Sequence, residues 1–399
     1  MGERFLNLGT ISMILRGKEW LFMGRVCSAA LLAATLLVFT ESGSRADEYC
    51  SSDAAQLQAH LIDAQTNGED DIIRVVRGTY MGHFPYIANE GKGITLLGGY
   101  GEGCTERVVD PARTVLDGGE EDNVLYFYVA GASDGVYVTI DGFTIRKGNT
   151  IASGGGIYVY ATSVDERSAD ITLSNNIIEG NFAGGSGGGV SLTSASNSGD
   201  SGNIALNNNI FSANTADQWY GGGAMIQTRS DSGNIGSVLV TNNTFTGNQV
   251  NRFGHGGGIY LAMFGGVFNL YNNIIWGNLA PWENGKDIYL YNHGSIDSTV
   301  NAYHNDYSSI LGAWTDSGNN IDQDPMFLDA ANGDFHLLKG SPCVDVGTNG
   351  APGIPARDFE DQGRILDGDM DGLAVVDMGA DEYIRRQVSM DWSILLLGN

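Results

Sequence analysis

One pattern recurs along the middle of the chain. Ile171-Thr-Leu-Ser-Asn-Asn-Ile-Ile-Glu-Gly-Asn181 returns as Ile204-Ala-Leu-Asn-Asn-Asn-Ile-Phe-Ser-Ala-Asn214, as Val238-Leu-Val-Thr-Asn-Asn-Thr-Phe-Thr-Gly-Asn248 and as Phe268-Asn-Leu-Tyr-Asn-Asn-Ile-Ile-Trp-Gly-Asn278. Glycine triplets alternate with it at Gly154, Gly187, Gly221 and Gly256, each followed by a short apolar run, and Gly285-Lys-Asp-Ile-Tyr-Leu-Tyr291 is a worn fifth copy. The final asparagines lie 33, 34 and 30 residues apart. A fixed period of that length is the mark of a stacked repeat architecture.

Each repeat holds three short apolar runs, and two of them alternate apolar with polar residues, as strands with one buried face do. No helical period competes. Three strands and three turns per repeat, stacked on like neighbours, make one coil of a parallel β-helix, with every backbone donor paired to the next coil about 4.8 Å away. The predicted fold class is therefore all-β, a parallel β-helix (solenoid) with an N-terminal capping helix. Asn176, Asn209, Asn243, Asn273 and Asn305 occupy one place in five successive repeats. Stacked there, their amides can bond along the axis and satisfy a sharp turn, so this ladder is expected to be internal and structural. The glycine triplets mark another corner, where positive φ or close coil approach excludes a Cβ.

The ends of the chain differ from the array. Val26 to Phe39 is apolar or small throughout, with Arg25 before it and Ser44-Arg45-Ala46 after it, which reads as a signal peptide over residues 1–46, with Met23 a natural start. Export to a secreted or cell-surface location is expected, with a mature chain from Asp47 and no membrane insertion after the leader is removed. Residues 47–399 carry 16 Lys/Arg against 44 Asp/Glu, a formal charge of −28. Such a surface disfavours nucleic acid. The organisation that follows is a cap helix and irregular first coils at 47–137, regular coils at 138–310, a terminal coil and acidic closing tail at 311–383 and a C-terminal tail at 384–399.

Leu57, Leu61, Ile62 and Gln65 form an apolar stripe behind Asp53, which predicts a short capping helix to about Thr66. Such a lid would cover the open edge that the first coil exposes. Cys50 and Cys104 are expected to pair in an oxidising compartment, leaving Cys343 as a buried apolar residue.

The array resembles the right-handed parallel β-helix of the pectate-lyase-like superfamily, and its glycine triplets and Asn-Asn turns are similar to the repeats of polymorphic outer-membrane proteins. Asp324-Pro-Met-Phe327, Gly340-Ser-Pro342, Asp345-Val-Gly347 and Asp377-Met-Gly-Ala-Asp-Glu-Tyr383, with Arg77-Gly-Thr-Tyr80 and Gly98-Gly-Tyr100 near the start, resemble secreted β-helix proteins of the choice-of-anchor Q type. The resemblance implies a secreted or surface β-helix whose anchor varies between members.

By alternation, the outward positions of the glycine-triplet strands are Tyr158, Ser191, Met225, Tyr260 and Tyr289, then Tyr160, Thr193, Gln227, Ala262 and Tyr291. They include no carboxylate pair and no cation. A polysaccharide lyase needs a base and a charge to neutralise the uronate, and a glycosidase needs two carboxylates. The turns before those strands hold the clustered catalytic candidates Asp217, Arg252, His255 and Glu283. Gly254-His-Gly256 is similar to a fragment of the polygalacturonase motif, but its Asp-pair and Arg-x-Lys partners are missing. The same turns carry Trp219, Tyr220, Phe253 and Trp282, which with Tyr158, Tyr260 and Tyr289 are the candidate glycan-binding rings, since aromatic faces stack on sugars. The expected partner is an extracellular polysaccharide or cell-surface glycan. A polysaccharide lyase or glycoside hydrolase is the alternative, and a structural envelope protein without soluble ligand is a third reading. Finally, Asp367-Gly-Asp-Met-Asp-Gly372 with Asp377 brings short-spaced carboxylates around a turn. Asp367, Asp369, Asp371 and Asp377 are therefore the candidate ligands of Ca²⁺, the expected cofactor.

Overall fold

A computed structural model describes residues 46–131, 135–281, 285–293 and 297–385. The leader, the C-terminal tail beyond residue 385, Trp282 and Glu283 lie outside the described residues. The rest is a parallel β-helix with three long sheets. The first sheet has eight strands, among them Ile157–Ser163, Val190–Ser196, Ala224–Ser230 and Ile259–Met263, each entered through a glycine triplet, and Ile288–Asn292, entered through Gly285-Lys-Asp. The second has ten strands, including Asp170–Ser174, Ile204–Asn207 and Val238–Thr241. The third has eight, including Ile177–Glu179, Ile210–Ser212 and Thr244–Thr246.

Repetition in sequence becomes stacking in register. Val159 pairs with Leu192, Leu192 with Ile226, Ile226 with Leu261 and Leu261 with Leu290, so one apolar column runs through the core. Phe211 and Phe245 stack there with parallel rings 4.3 Å apart. Because the side-chain period is two, the alternation that buries Ile157, Val159 and Ala161 turns Tyr158 and Tyr160 outward.

The asparagine pairs divide their labour. The first of each pair takes the left-handed backbone: Asn175, Asn208, Asn242 and Asn272 have φ between 54° and 58°. The second forms the buried ladder. Asn176 Nδ2 donates to Asn209 Oδ1 at 3.0 Å, Asn209 to Asn243 at 3.0 Å, Asn243 to Asn273 at 3.1 Å and Asn273 to Asn305 at 2.8 Å. Asn320 adds a further rung at 3.0 Å. A second ladder links Asn181, Asn214, Asn248 and Asn278 and ends on the Asp287 carboxylate, which also accepts from Ser308 and Ser309. At the glycine corner the triplet positions differ in role. Gly221 has φ +69, while a Cβ on Gly222 would stand 2.4 Å from the Gly257 carbonyl oxygen of the next coil.

The capping helix spans Ala54–Asp63, three residues shorter than the stripe predicts, with Asp53 accepting from the Gln56 N–H at 2.8 Å. Leu57 and Leu61 are fully buried, but Ile62 is 54 % exposed and faces away from the coil it was expected to cover. Its neighbours on the helix already fill the space above Tyr86, whose hydroxyl lies 3.4 Å from the Ala64 carbonyl. A strand at Asp47–Ser51, absent from the sequence reading, precedes the helix and pairs with Asp71–Val76. Cys50 and Cys104 are joined by a disulfide, and Cys343 is buried.

The acidic closing segment runs back along the outside of the array. His304 Nδ1 lies 2.7 Å from the Val346 carbonyl, and Asn272 Oδ1 accepts from the Thr348 N–H at 2.8 Å. Asn242 Nδ2 donates to Asp377 O at 3.0 Å, and Asn208 Nδ2 to Arg357 O at 2.6 Å. The left-handed asparagine column is thus the rail on which this strap rests. An antiparallel hairpin, Phe327–Asp329 with Asp334–Leu337, and the apolar side chains Phe335, Phe359 and Ala380 seat it against Ile210.

Candidate functional site

Turns leaving the short strands Thr215–Ala216 and Gln249–Val250 carry the polar and aromatic candidates to one corner of the helix. Asp217 and Arg252 reach one another there, with Arg252 Nε 3.0 Å from Asp217 Oδ2. Asn251 Nδ2 also donates to Asp217, at 3.3 Å. A carboxylate held by a guanidinium and an amide is poorly placed to act as a base. His255 lies instead against the Tyr289 ring, centroids 4.9 Å apart. Glu283 falls outside the described residues.

The aromatic candidates separate into two groups. Tyr220 stacks on Tyr260 at 4.6 Å, and Tyr289 lies 5.6 Å from Tyr220 and 5.2 Å from Tyr260. Tyr291 continues the cluster, 5.7 Å from Tyr289. Beside it Trp219 is 50 % and Phe253 66 % exposed. Their turns approach closely, since a Cβ on Gly254 would fall 1.5 Å from the Trp219 carbonyl oxygen. That glycine permits the close approach of the two turns.

Two expectations need correction. Tyr260 offers no free face: Tyr220 and Tyr289 cover it and it is buried. Burial, and then Tyr220 and Tyr289, push its phenol up, so it stays neutral. Tyr158 belongs elsewhere. In register it is followed by Ser191, Met225 and only then Tyr260, so three coil steps separate it from Tyr260. It stacks instead on Tyr126 at 5.1 Å, beside a parallel pair, Tyr128 and Tyr160, at 5.9 Å. Sequence reasoning missed Tyr126 and Tyr128 because their strand, Leu125–Ala130, lacks the glycine triplet that marks the others.

The acidic loop is also rearranged. One carboxylate oxygen from each of Asp345, Asp367 and Asp369 lies within 4.8 Å of the other two. Asp345 Oδ2 accepts from the Asp369 N–H at 2.6 Å, while its Oδ1 is buried without a hydrogen-bond partner. Burial pushes the Asp345 carboxyl up. Asp371 turns to the Leu373 N–H at 2.8 Å. Asp377 is buried and accepts from the Asp345 and Tyr383 N–H groups, each at 2.6 Å, so it serves the strap rather than the loop. Three oxygen ligands at this spacing around a tight turn suit a hard cation such as Ca²⁺.

A scan against protein-family models finds no match, and no curated protein matches the chain. The fold alone does not select an activity, since one scaffold hosts many.

Proposed function

We propose that this protein is an exported β-helix of the pectate-lyase-like type that binds extracellular polysaccharide without cleaving it. The observation that carries this reading is the aromatic corner: Trp219 and Phe253 exposed on adjacent turns, beside the packed rings of Tyr220, Tyr260 and Tyr289. Coils stack about 4.8 Å apart, and a sugar residue in an extended chain rises by a similar length. An axial glycan can therefore meet one ring per coil. The rigid array holds the rings in place, so little side-chain freedom is lost on binding. Asp217 and Arg252 spend their charges on each other, which favours binding over catalysis.

Affinity gel electrophoresis through neutral and acidic polysaccharides, beside assays for released reducing ends and unsaturated product, tests this. Retention without turnover is expected. Turnover would favour the lyase or hydrolase alternative, and absence of retention on every gel would favour a purely structural envelope role.

We also propose that Ca²⁺ binds at Asp345, Asp367 and Asp369. The partnerless buried oxygen of Asp345 supports this, since a cation would satisfy it. Bound there, the ion would tie the acidic loop to the part of the strap that rests on the array.

A further inference from the structure

A second concave surface lies away from the aromatic corner, between the third sheet and the closing hairpin. Its floor is built by repetition. Arg146, Glu179, Ser212 and Thr246 stand in one outward column, one per coil, by strand register. The residue after each takes the left-handed backbone: Lys147, Gly180, Ala213 and Gly247 have φ of 54°, 59°, 52° and 63°. Gly277 extends the floor by one coil. Residues 330–333 and Phe335 form the facing wall, enclosing about 710 Å³. That volume is in the range of small-ligand clefts, roughly 300–1,000 Å³. From the coil of Arg146 to that of Gly277 the groove runs about 19 Å along the axis, four coil steps.

Charge selects the occupant. Arg146 Nε and Lys147 Nζ both hold the buried Asp117 carboxylate, at 2.9 and 3.1 Å, and Glu179 stands on the next coil. Two cations and two carboxylates balance, and the facing wall, Ala330-Ala331-Asn332-Gly333, is uncharged. In a chain of net charge −26, the charges of Arg146, Lys147, Asp117 and Glu179 cancel on this strip. One guanidinium, one carboxylate and two hydroxyls follow one another at the coil spacing, groups that bond to sugar hydroxyls, and the balanced charges leave no excess of cations to favour an ionic substituent.

We propose that this axial groove holds a segment of a neutral, unbranched polysaccharide, as a binding site separate from the aromatic corner. It rests on the reading of the protein as a glycan binder and adds a location and a substrate class. The ordinary explanation of the floor glycines is their left-handed backbone, but that does not account for the open space above them. A Cβ on Gly247 would meet nothing nearer than 3.9 Å, and Ala213 shows that the array accepts a side chain at this place.

The test fills the groove from either wall. Gly247→Asn keeps a residue that tolerates positive φ, and Ala331→Trp changes an exposed residue of the hairpin. Native protein and both variants are run on affinity gels containing hydroxyethyl cellulose, a galactomannan or polygalacturonate, with melting curves alongside. The native chain should be retained on a neutral gel, and each variant should lose at least about tenfold in apparent affinity with its melting temperature kept. Should Gly247→Asn lower the melting temperature, Ala331→Trp alone decides. Neutral-gel retention unchanged in the variants overturns the groove while leaving the aromatic corner intact. Retention only by polygalacturonate overturns the neutral assignment. No retention of the native chain on any gel overturns the groove and the glycan reading together.

Discussion

Arg364 Nη2 donates to Asn208 Oδ1 at 2.6 Å, across 156 residues of sequence. Arg364 is buried and also donates to the Gly379 and Ala380 carbonyls, with Glu382 beside it at 3.5 Å. One guanidinium thus ties the closing strap to the array and gathers the strap's own chain around it. Replacing it by methionine would leave Glu382 buried and unpaired, a loss of about 3–5 kcal/mol. Arg364→Met should release the strap to limited proteolysis between residues 345 and 385 while the coils stay resistant. A digestion pattern identical to the native one would show that the strap is held by its apolar contacts alone.

The two asparagines of each turn should respond differently. Asn243 accepts from the Asn209 N–H and amide and donates to Leu206 O and Asn273 Oδ1, all inside the array. Asn243→Ala should cost about 3 kcal/mol and lower the melting temperature of the coils. Asn242→Gly preserves the left-handed φ and removes the bonds to Asp377 O and Gly379 O. It should loosen the strap and leave the coil transition in place. Equal effects on both transitions would contradict this division.

That division was only half legible in the sequence. The ladder could be read because Asn176 and its equivalents recur with the period of the core, and any residue that does so must stack on its own copies. The rail could not, because Asn208 and Asn242 bond to single-copy residues more than a hundred positions away, which no periodicity announces. Asp345 was missed and Asp377 was assigned to the loop for the same reason. Spacing within the Asp367-Gly-Asp loop suggested Asp377 as its neighbour, whereas the strap buries Asp377 and brings in Asp345 from 22 residues upstream of Asp367. Tyr260 was read correctly as outward, but alternation gives the face of a residue and not what lies over it.

Strap stability should fall as pH rises. Burial pushes Asp381 up to about 6, and burial again, with Glu382 beside it, raises Asp377. Such a carboxyl holds its proton more tightly folded than unfolded. Stability from these groups is therefore greatest below the unfolded value of about 3.9 and declines as pH climbs through about 6 and beyond. His336, bonded to Glu360 and Asp334, is pushed up to about 10, so its contribution is also full below about 6.5 and lost towards 10. Glu360, lowered by that histidine, acts oppositely and is lost only at strongly acidic pH. Proteolysis of the strap should be slower at pH 5.5 than at pH 8.5, and the reverse order would contradict these assignments.

Calcium should act on the strap before the coils. Millimolar Ca²⁺ should raise the strap's resistance to protease, and a chelator should remove the gain. Asp345→Asn should abolish uptake measured by calorimetry, and Asp371→Asn should leave it nearly unchanged, because Asp345 places an oxygen beside those of Asp367 and Asp369 while Asp371 turns to the Leu373 N–H. Equal loss in both variants would return the site to the loop alone.

Glycan binding is proposed to reside in the aromatic corner. The direct measurement is retention of a Trp219→Ala/Phe253→Ala double variant against the native chain on polysaccharide affinity gels, with melting curves run on both. Both rings are exposed, so the fold and melting temperature should be kept. Retention should drop by at least about tenfold, from stacking worth about 1 kcal/mol or more per ring. Retention equal to that of the native protein, with the fold intact, would contradict this proposal.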